Sequence, residues 1–225
     1  TSSPMRPSAA SRSSARAISW APSSRYIVFT AQERGRESVY KVSVPSGVVT
    51  RLVAAGMNGD AFVSSDGGRL VFLRQTASRP SEVWVADSSG ANARQLSHVN
   101  DAALAGIQMG ALEEFEFAGG GGDKVHGFLL KPPGFDPKKK YPLLLLVHGG
   151  PQGAFGDEFH FRWNLQMFAT PGFVVAAINF HGSTGYGQAF TDSISGDWGG
   201  KPYEDLTKGI DFLVGKHPFI DGGNV

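Results

Sequence analysis

Two short runs of this chain hold the residue types that could do chemistry. The first is Tyr141-Pro142-Leu143-Leu144-Leu145-Leu146-Val147-His148-Gly149-Gly150-Pro151, and the second is Asn179-Phe180-His181-Gly182-Ser183-Thr184-Gly185-Tyr186-Gly187. An apolar strand that stops on His-Gly-Gly-Pro brings backbone N–H groups to the strand's mouth, where they can meet a carbonyl oxygen that gains charge during acyl transfer. The nucleophile that would use such donors is missing, because no Gly-x-Ser-x-Gly occurs in the 225 residues. His148, at the strand end, is expected to orient the turn through hydrogen bonds rather than to move protons. Ser183 lies in a Gly-rich loop with no base beside it in the motif, so a loop hydrogen bond is its expected role. Metal chemistry has no support: His98, His126, His148, His160, His181 and His217 form neither His-x-His nor His-Glu-x-x-His. The loop from Gly182 to Gly187 lacks the Lys-Ser/Thr ending of a phosphate loop, so no nucleotide or other cofactor is expected.

The elements that must carry these runs alternate between strand and helix. Leu143 to Val147 is apolar without alternation, as a parallel strand covered on both faces would be, and Gly172 to Asn179 has the same character. Glu158 to Ala169 is predicted to form the helix between them. Tyr203, Leu206, Ile210, Leu213 and Val214 share one helical face, with Pro202 at the start and Glu204 and Asp205 in the first turn. Upstream, Leu112 to Ala118 alternates Phe115 and Phe117 with Glu114 and Glu116. The glycines Gly119 to Gly122 turn that strand into Lys124 to Lys131 as a hairpin. A leading hairpin followed by strands alternating with helices is the first half of an α/β-hydrolase sheet.

The first hundred residues repeat. Phe29 is echoed by Phe72 and Tyr40 by Trp84, Gly47 by Gly90 and Leu52 by Leu96, at offsets of 43 or 44 residues. Short β-rich runs separated by Ser, Pro, Asp and Gly at that period fit one four-stranded propeller blade per repeat. The fold expected is therefore a partial β-propeller of about two blades over residues 1–105, then the N-terminal half of an α/β-hydrolase domain over 106–225. The small residues Asp101-Ala102-Ala103-Leu104-Ala105-Gly106 read as the linker. Two blades cannot close a ring, and the opening Thr1-Ser2-Ser3-Pro4 has neither an initiator Met nor a signal segment. Both ends are expected to be cuts in a longer protein.

Composition bounds the partners. A net charge of +1 supplies no general field for nucleic acid or anionic lipid, and Lys138-Lys139-Lys140 is most simply the solvated face of a turn. No apolar run approaches a membrane span, and a mean hydropathy of −0.14 suits a globular chain. The absence of cysteine excludes disulfides, thiolate metal sites and a Cys nucleophile within this segment.

Five motifs in order resemble the prolyl oligopeptidase family of serine peptidases, with its fungal dipeptidyl-peptidase V and acylaminoacyl-peptidase branch as the best match. They are Lys131-Pro132-Pro133-Gly134-Phe135-Asp136, Lys140-Tyr141-Pro142, His148-Gly149-Gly150-Pro151, Gly182 to Gly187, and Trp198-Gly199-Gly200 with Glu204-Asp205. The resemblance implies a Ser, Asp, His triad, all of it beyond Val225, so His148, His181 and Ser183 cannot be assigned to it. It also implies that the N–H of Gly150 is one oxyanion donor, the second following the missing Ser. Proline-specific branches carry a Tyr where His148 stands, so the imidazole could substitute for that phenol. The backbone is preferred here, because Gly149 and Gly150 let the chain approach a ligand closely.

The function expected is a fragment of a serine exopeptidase that removes dipeptides from the N-terminus of short peptides through an acyl-enzyme, the fragment itself being inactive. An acylaminoacyl-peptidase or esterase on the same fold is one alternative, and a non-catalytic interaction or antigen fragment is another. The resemblance implies a peptide substrate and, through its fungal members, secretion, with a cytoplasmic location as the alternative. Oligomeric state is not legible.

Overall fold

The computed structural model describes residues 16–150 and 152–225, so Pro151 of the His-Gly-Gly-Pro run and residues 1–15 of the first expected domain lie outside it. Sheet dominates. Alternating apolar and polar residues between turn formers make eight strands in the first half: β1 (Arg16–Trp20), β2 (Tyr26–Glu33), β3 (Arg36–Ser43), β4 (Val49–Val53), β5 (Met57–Val63), β6 (Arg69–Thr76), β7 (Arg79–Asp87) and β8 (Arg94–Gln95). Sequence neighbours pair antiparallel within β1–β4 and again within β5–β8. A single register pair, Glu37 with Met57, joins β3 to β5. The sequence repeat thus corresponds to two four-stranded meanders within one sheet. Val28, Val39 and Val53 are buried in the first meander and Leu70, Phe72 and Ala86 in the second.

The turn between β2 and β3 reaches the rest of the molecule. Arg34 and Gly35 have φ of 52° and 68°, as a two-residue type I′ hairpin requires. A Cβ on Gly35 would lie 2.5 Å from the Phe128 ring, so the tip can approach the second sheet only with no side chain at that position.

The second sheet holds β9 (Leu112–Ala118), β10 (Lys124–Leu130), β11 (Tyr141–Leu146), β12 (Val174–Asn179) and β13 (Ile220–Asp221), in the order β13-β11-β12-β10-β9. The leading hairpin β9–β10 is antiparallel, β10 meets β12 antiparallel, and β11 runs parallel to both β12 and β13. Every residue of β12 is buried, because both faces of the sheet are covered. On one face Val174, Ala176 and Ile178 pack with Leu213 of the helix α4 (Lys201–Lys216). On the other, Val175 and Ala177 pack with Leu165 and Ala169 of α2 (Leu165–Ala169). Two further short helices are α1 (Asp101–Leu104), inside the expected linker, and α3 (Gln188–Asp192).

The helix expected over Glu158 to Ala169 shrinks to α2. Its would-be first turns give their N–H groups elsewhere: Phe159 donates to Gln75 Oε1 at 3.2 Å, and Arg162 and Trp163 donate to His160 Nδ1 at 3.0 and 2.9 Å. Asn164 then caps the short helix by accepting from the Gln166 N–H at 2.9 Å. In α4 the buried row is Pro202, Asp205, Gly209 and Leu213, whereas Tyr203, expected on the inner face, is 69% exposed. The i, i+3, i+4 spacing runs through Asp205, a first-turn carboxylate that is buried here.

Candidate active site

β11 ends at Leu146, and His148, Gly149 and Gly150 continue past its C-terminal end. β12 lies between β10 and β11, so the strand order reverses beside this turn, and a crevice outside the carboxyl ends of parallel strands at such a reversal is where ligands bind in open α/β sheets. Gly150 is exposed, with φ of 134°. A Cβ there would stand 3.1 Å from Gln152 N and 3.2 Å from Gly153 N, so the turn is built for a residue without a side chain. No acceptor among the described residues takes the Gly150 N–H.

His148 holds this turn. Its ring stacks on Phe180 at 4.2 Å and meets Phe155 edge-on at 5.7 Å. Nδ1 lies 3.2 Å from the Gly149 carbonyl oxygen and Nε2 lies 2.9 Å from Ser183 Oγ. A carbonyl can only accept, so Nδ1 carries the proton, and burial holds the ring's pKa below its usual value. The neutral ring then accepts at Nε2 from the Ser183 hydroxyl. The motif itself holds no base beside Ser183, and the fold supplies its hydrogen-bond partner from 35 positions away. The pair is nonetheless no nucleophile. Ser183 is fully buried, its N–H donates to Phe180 O at 2.9 Å, its carbonyl accepts from Thr191 Oγ1 at 3.1 Å, and among the described residues no carboxylate bonds to His148.

Two polar networks brace the same region, and sequence reasoning found neither. His181, 1% exposed, places Nδ1 2.7 Å from Asp205 Oδ2 and Nε2 3.1 Å from Asp123 Oδ2. Asp205, wholly buried, also accepts from the backbone N–H of His181 and of Gly120, each at 2.7 Å. On the opposite side, Asn179 clamps Phe155 by accepting from its N–H at 2.8 Å and donating to its carbonyl at 3.0 Å. Asn179 Nδ2 donates to Tyr186 Oη at 2.7 Å, and that hydroxyl lies 2.6 Å from His126 Nδ1. Burial raises the Tyr186 pKa, so the hydroxyl stays protonated and donates to His126, whose Nε2–H faces Glu114 Oε2 at 3.1 Å. Glu114 and Glu116 pair with Arg36 and Arg34 of the β2–β3 turn, which ties the two sheets together.

Two cavities flank the segment Gly153–Gly156. One, of about 470 Å³, is bounded by Leu146, Val147, Gly149, Phe155, Trp163 and Leu165. The other, of about 570 Å³, opens between the sheets among Gln32, Arg36, Glu37, Asn58, Gln75 and Gln152. Among the described residues no three His, Asp or Glu side chains are grouped to hold a metal ion.

With this geometry in hand, comparison with known proteins is specific. Residues 159–225 match the prolyl oligopeptidase family. Dipeptidyl-peptidase 5 of Schizosaccharomyces pombe is 40% identical over 152 residues, which are 64% of this chain and 22% of that protein. Dipeptidyl-peptidase 5 of Arthroderma otae is 33% identical over 213 residues, 92% of this chain and 29% of that protein. Among solved structures, an acylaminoacyl peptidase of Pyrococcus horikoshii in an orthorhombic crystal form superposes with a TM-score of 0.75 at 26% identity, covering 87% of this chain and 30% of that one. The chain therefore spans less than a third of the length of these relatives.

Proposed function

From the kinship of this chain with the prolyl oligopeptidase family, carried by residues 159–225, we propose that it is a segment of a serine exopeptidase that releases dipeptides from the N-terminus of short peptides through an acyl-enzyme. In this reading the two four-stranded meanders are propeller blades, with residues 1–105 forming that domain. The sheet β9–β13 is then the first half of an α/β-hydrolase domain over 106–225. The observation that carries the reading is the Gly150 N–H, exposed at the mouth of a parallel strand with no acceptor among the described residues. As a nucleophile adds to the scissile carbonyl, its oxygen becomes an anion, and a fixed N–H gains most in that state. Accepting an acylated N-terminal residue instead of a free N-terminal dipeptide would make the parent an acylaminoacyl-peptidase, and the Pyrococcus horikoshii structural likeness favours that second reading.

The chain contains no Gly-x-Ser-x-Gly, so donors are present without an attacking group. Incubated with dipeptide-chromogen substrates and a fluorophosphonate probe, the 225-residue chain is expected to show neither turnover nor labelling. A longer protein that adds the nucleophile is expected to show both. Specific labelling of Ser183 in this chain, or no labelling in the longer protein, would overturn the reading.

His148 is a positioning residue in this scheme. The Gly149 carbonyl and the Gly150 N–H belong to one peptide plane, so a bond that fixes the oxygen also aims the N–H. One such hydrogen bond is worth about 1 kcal/mol, so in the full-length enzyme His148→Ala is expected to lower kcat about fivefold to tenfold with little change in KM. His148→Asn places an amide N–H2 near the site of Nδ1 and is expected to recover most of that loss. Equal losses for Asn and Ala would show that the imidazole itself, rather than its hold on the Gly149 carbonyl, is needed.

A further inference from the structure

Between the end of β11 and the start of α2 the described residues form neither helix nor strand, so the segment Gly153–Phe159 takes its shape from partners elsewhere in the chain. One clamp comes from the second sheet, where Asn179 holds Phe155. The others come from the first sheet. Asp157 donates its N–H to Gly35 O at 2.8 Å, and its Oδ1 accepts from the Ala77 N–H at 2.8 Å. Gly35 belongs to the β2–β3 turn and Ala77 to the β6–β7 turn, which are the equivalent turns of the two meanders. A single aspartate thus gathers both repeats onto this segment. Gly35 and Ala77 are buried, where a backbone group that loses its partner is costly.

A second route from the first sheet runs through Thr184. Its Oγ1 donates to Gln32 Oε1 of β2 at 2.9 Å, and its N–H donates to Gly153 O at 2.9 Å. The two routes therefore hold the segment at both ends, Gly153 and Asp157.

Gly153 in turn lies against the oxyanion turn. A Cβ on Gly153 would stand 2.9 Å from Gly149 O, and a Cβ on Gly150 would stand 3.2 Å from Gly153 N. The Gly149–Gly150 peptide is bounded by Gly153 as well as by the His148 ring. Under the proposed function, on which this step rests, that peptide aims the Gly150 N–H at the scissile carbonyl oxygen. We propose that Asp157 is a positioning residue for this reaction: by seating Gly153–Phe159 on two turns of the first sheet it fixes the plane of the Gly149–Gly150 peptide, with Thr184 acting to the same end at Gly153. The first sheet is then part of the catalytic scaffold, and a small displacement at its turns reaches the transition state.

The test uses the full-length enzyme, a dipeptide-chromogen substrate and a peptide aldehyde whose hemiacetal oxygen occupies the oxyanion site. Asp157→Ala is expected to lower kcat about fivefold to tenfold with little change in KM, and to weaken the aldehyde by the same factor. Asp157→Asn keeps an acceptor for the Ala77 N–H and is expected to recover most of both losses. Thr184→Val removes only a hydroxyl and is expected to act in the same direction, with Thr184→Ser restoring kcat; it carries the test if Asp157→Ala does not fold. Because Asp157 and His148 act on one peptide, the kcat losses of Asp157→Ala and His148→Ala should combine to less than their product. A purely structural role would lower the urea midpoint of Asp157→Ala while leaving kcat and aldehyde affinity of the folded enzyme unchanged. That result, equal losses for Asn and Ala, or losses that multiply with His148→Ala overturns the positioning role and leaves the peptidase reading intact. A wild-type enzyme that cleaves no peptide overturns the peptidase reading, and this role with it.

Discussion

Replacing the Gly150 amide with an ester, by putting glycolate at that position of the full-length enzyme, is expected to lower kcat by about 10²–10³, the usual loss when one oxyanion donor is removed. KM should change little, because the ground-state carbonyl is a weaker acceptor than the oxyanion and binding of the rest of the peptide is untouched. The ester deletes the N–H and keeps the geometry. Side-chain substitutions do not separate these effects. Gly150 has φ of 134°, which Pro cannot adopt, and an alanine Cβ would be pressed to 3.1 Å from Gln152 N. Gly150→Ala therefore keeps the donor but moves it, and its loss measures strain as well as crowding. Steady-state kinetics on the ester enzyme decide the matter. Wild-type kcat in that enzyme, together with a large loss in His148→Ala, would make the imidazole the donor. The observed ring already speaks against that, since Nδ1–H is engaged by Gly149 and Nε2 by Ser183.

Local signals carried the parts of the site that lie in continuous sequence. The apolar run at Leu143 and the glycines after His148 state their own geometry, and the strands β9 to β12 follow from alternation and from unbroken hydrophobicity. Features closed across the chain left no such signal. Ser183 meets His148 because β12 lies next to β11, and nothing within the Gly182–Gly187 loop announces that partner. Asn179, at the end of a strand whose other residues are apolar, could have been suspected as a buried polar group that needs partners, since an unpaired amide there would be costly. The helix expected over Glu158 to Ala169 failed for a related reason. Its apolar spacing was adequate, but His160 and Gln75 side chains compete for the backbone donors, and that competition depends on tertiary placement.

Asp205 gives the largest stability effect expected in the chain, and it links the fold to the site. Its carboxylate is fully buried and joins three segments: the turn after β9 through Gly120, the end of β12 through the His181 backbone, and α4 on which it sits. Asp205→Ala leaves two backbone N–H groups and an imidazole nitrogen buried without an acceptor. Removing one member of such a network usually costs about 3–5 kcal/mol, far more than loss of an exposed pair. Asp205→Asn is little better, since its amide N–H2 must face one of the N–H donors. His181→Phe keeps the ring contact with Phe190, now 4.4 Å, and both backbone bonds to the carboxylate, so it should cost less than Asp205→Ala. Urea unfolding should show this as a lower midpoint at unchanged slope. The same anchor sets where His181, Gly182 and Ser183 run, and through Ser183 it reaches the ring that holds Gly149. A cost under about 1 kcal/mol for Asp205→Ala, on the scale of an exposed ion pair, would mean that the carboxylate is hydrated in solution and does not serve as this anchor.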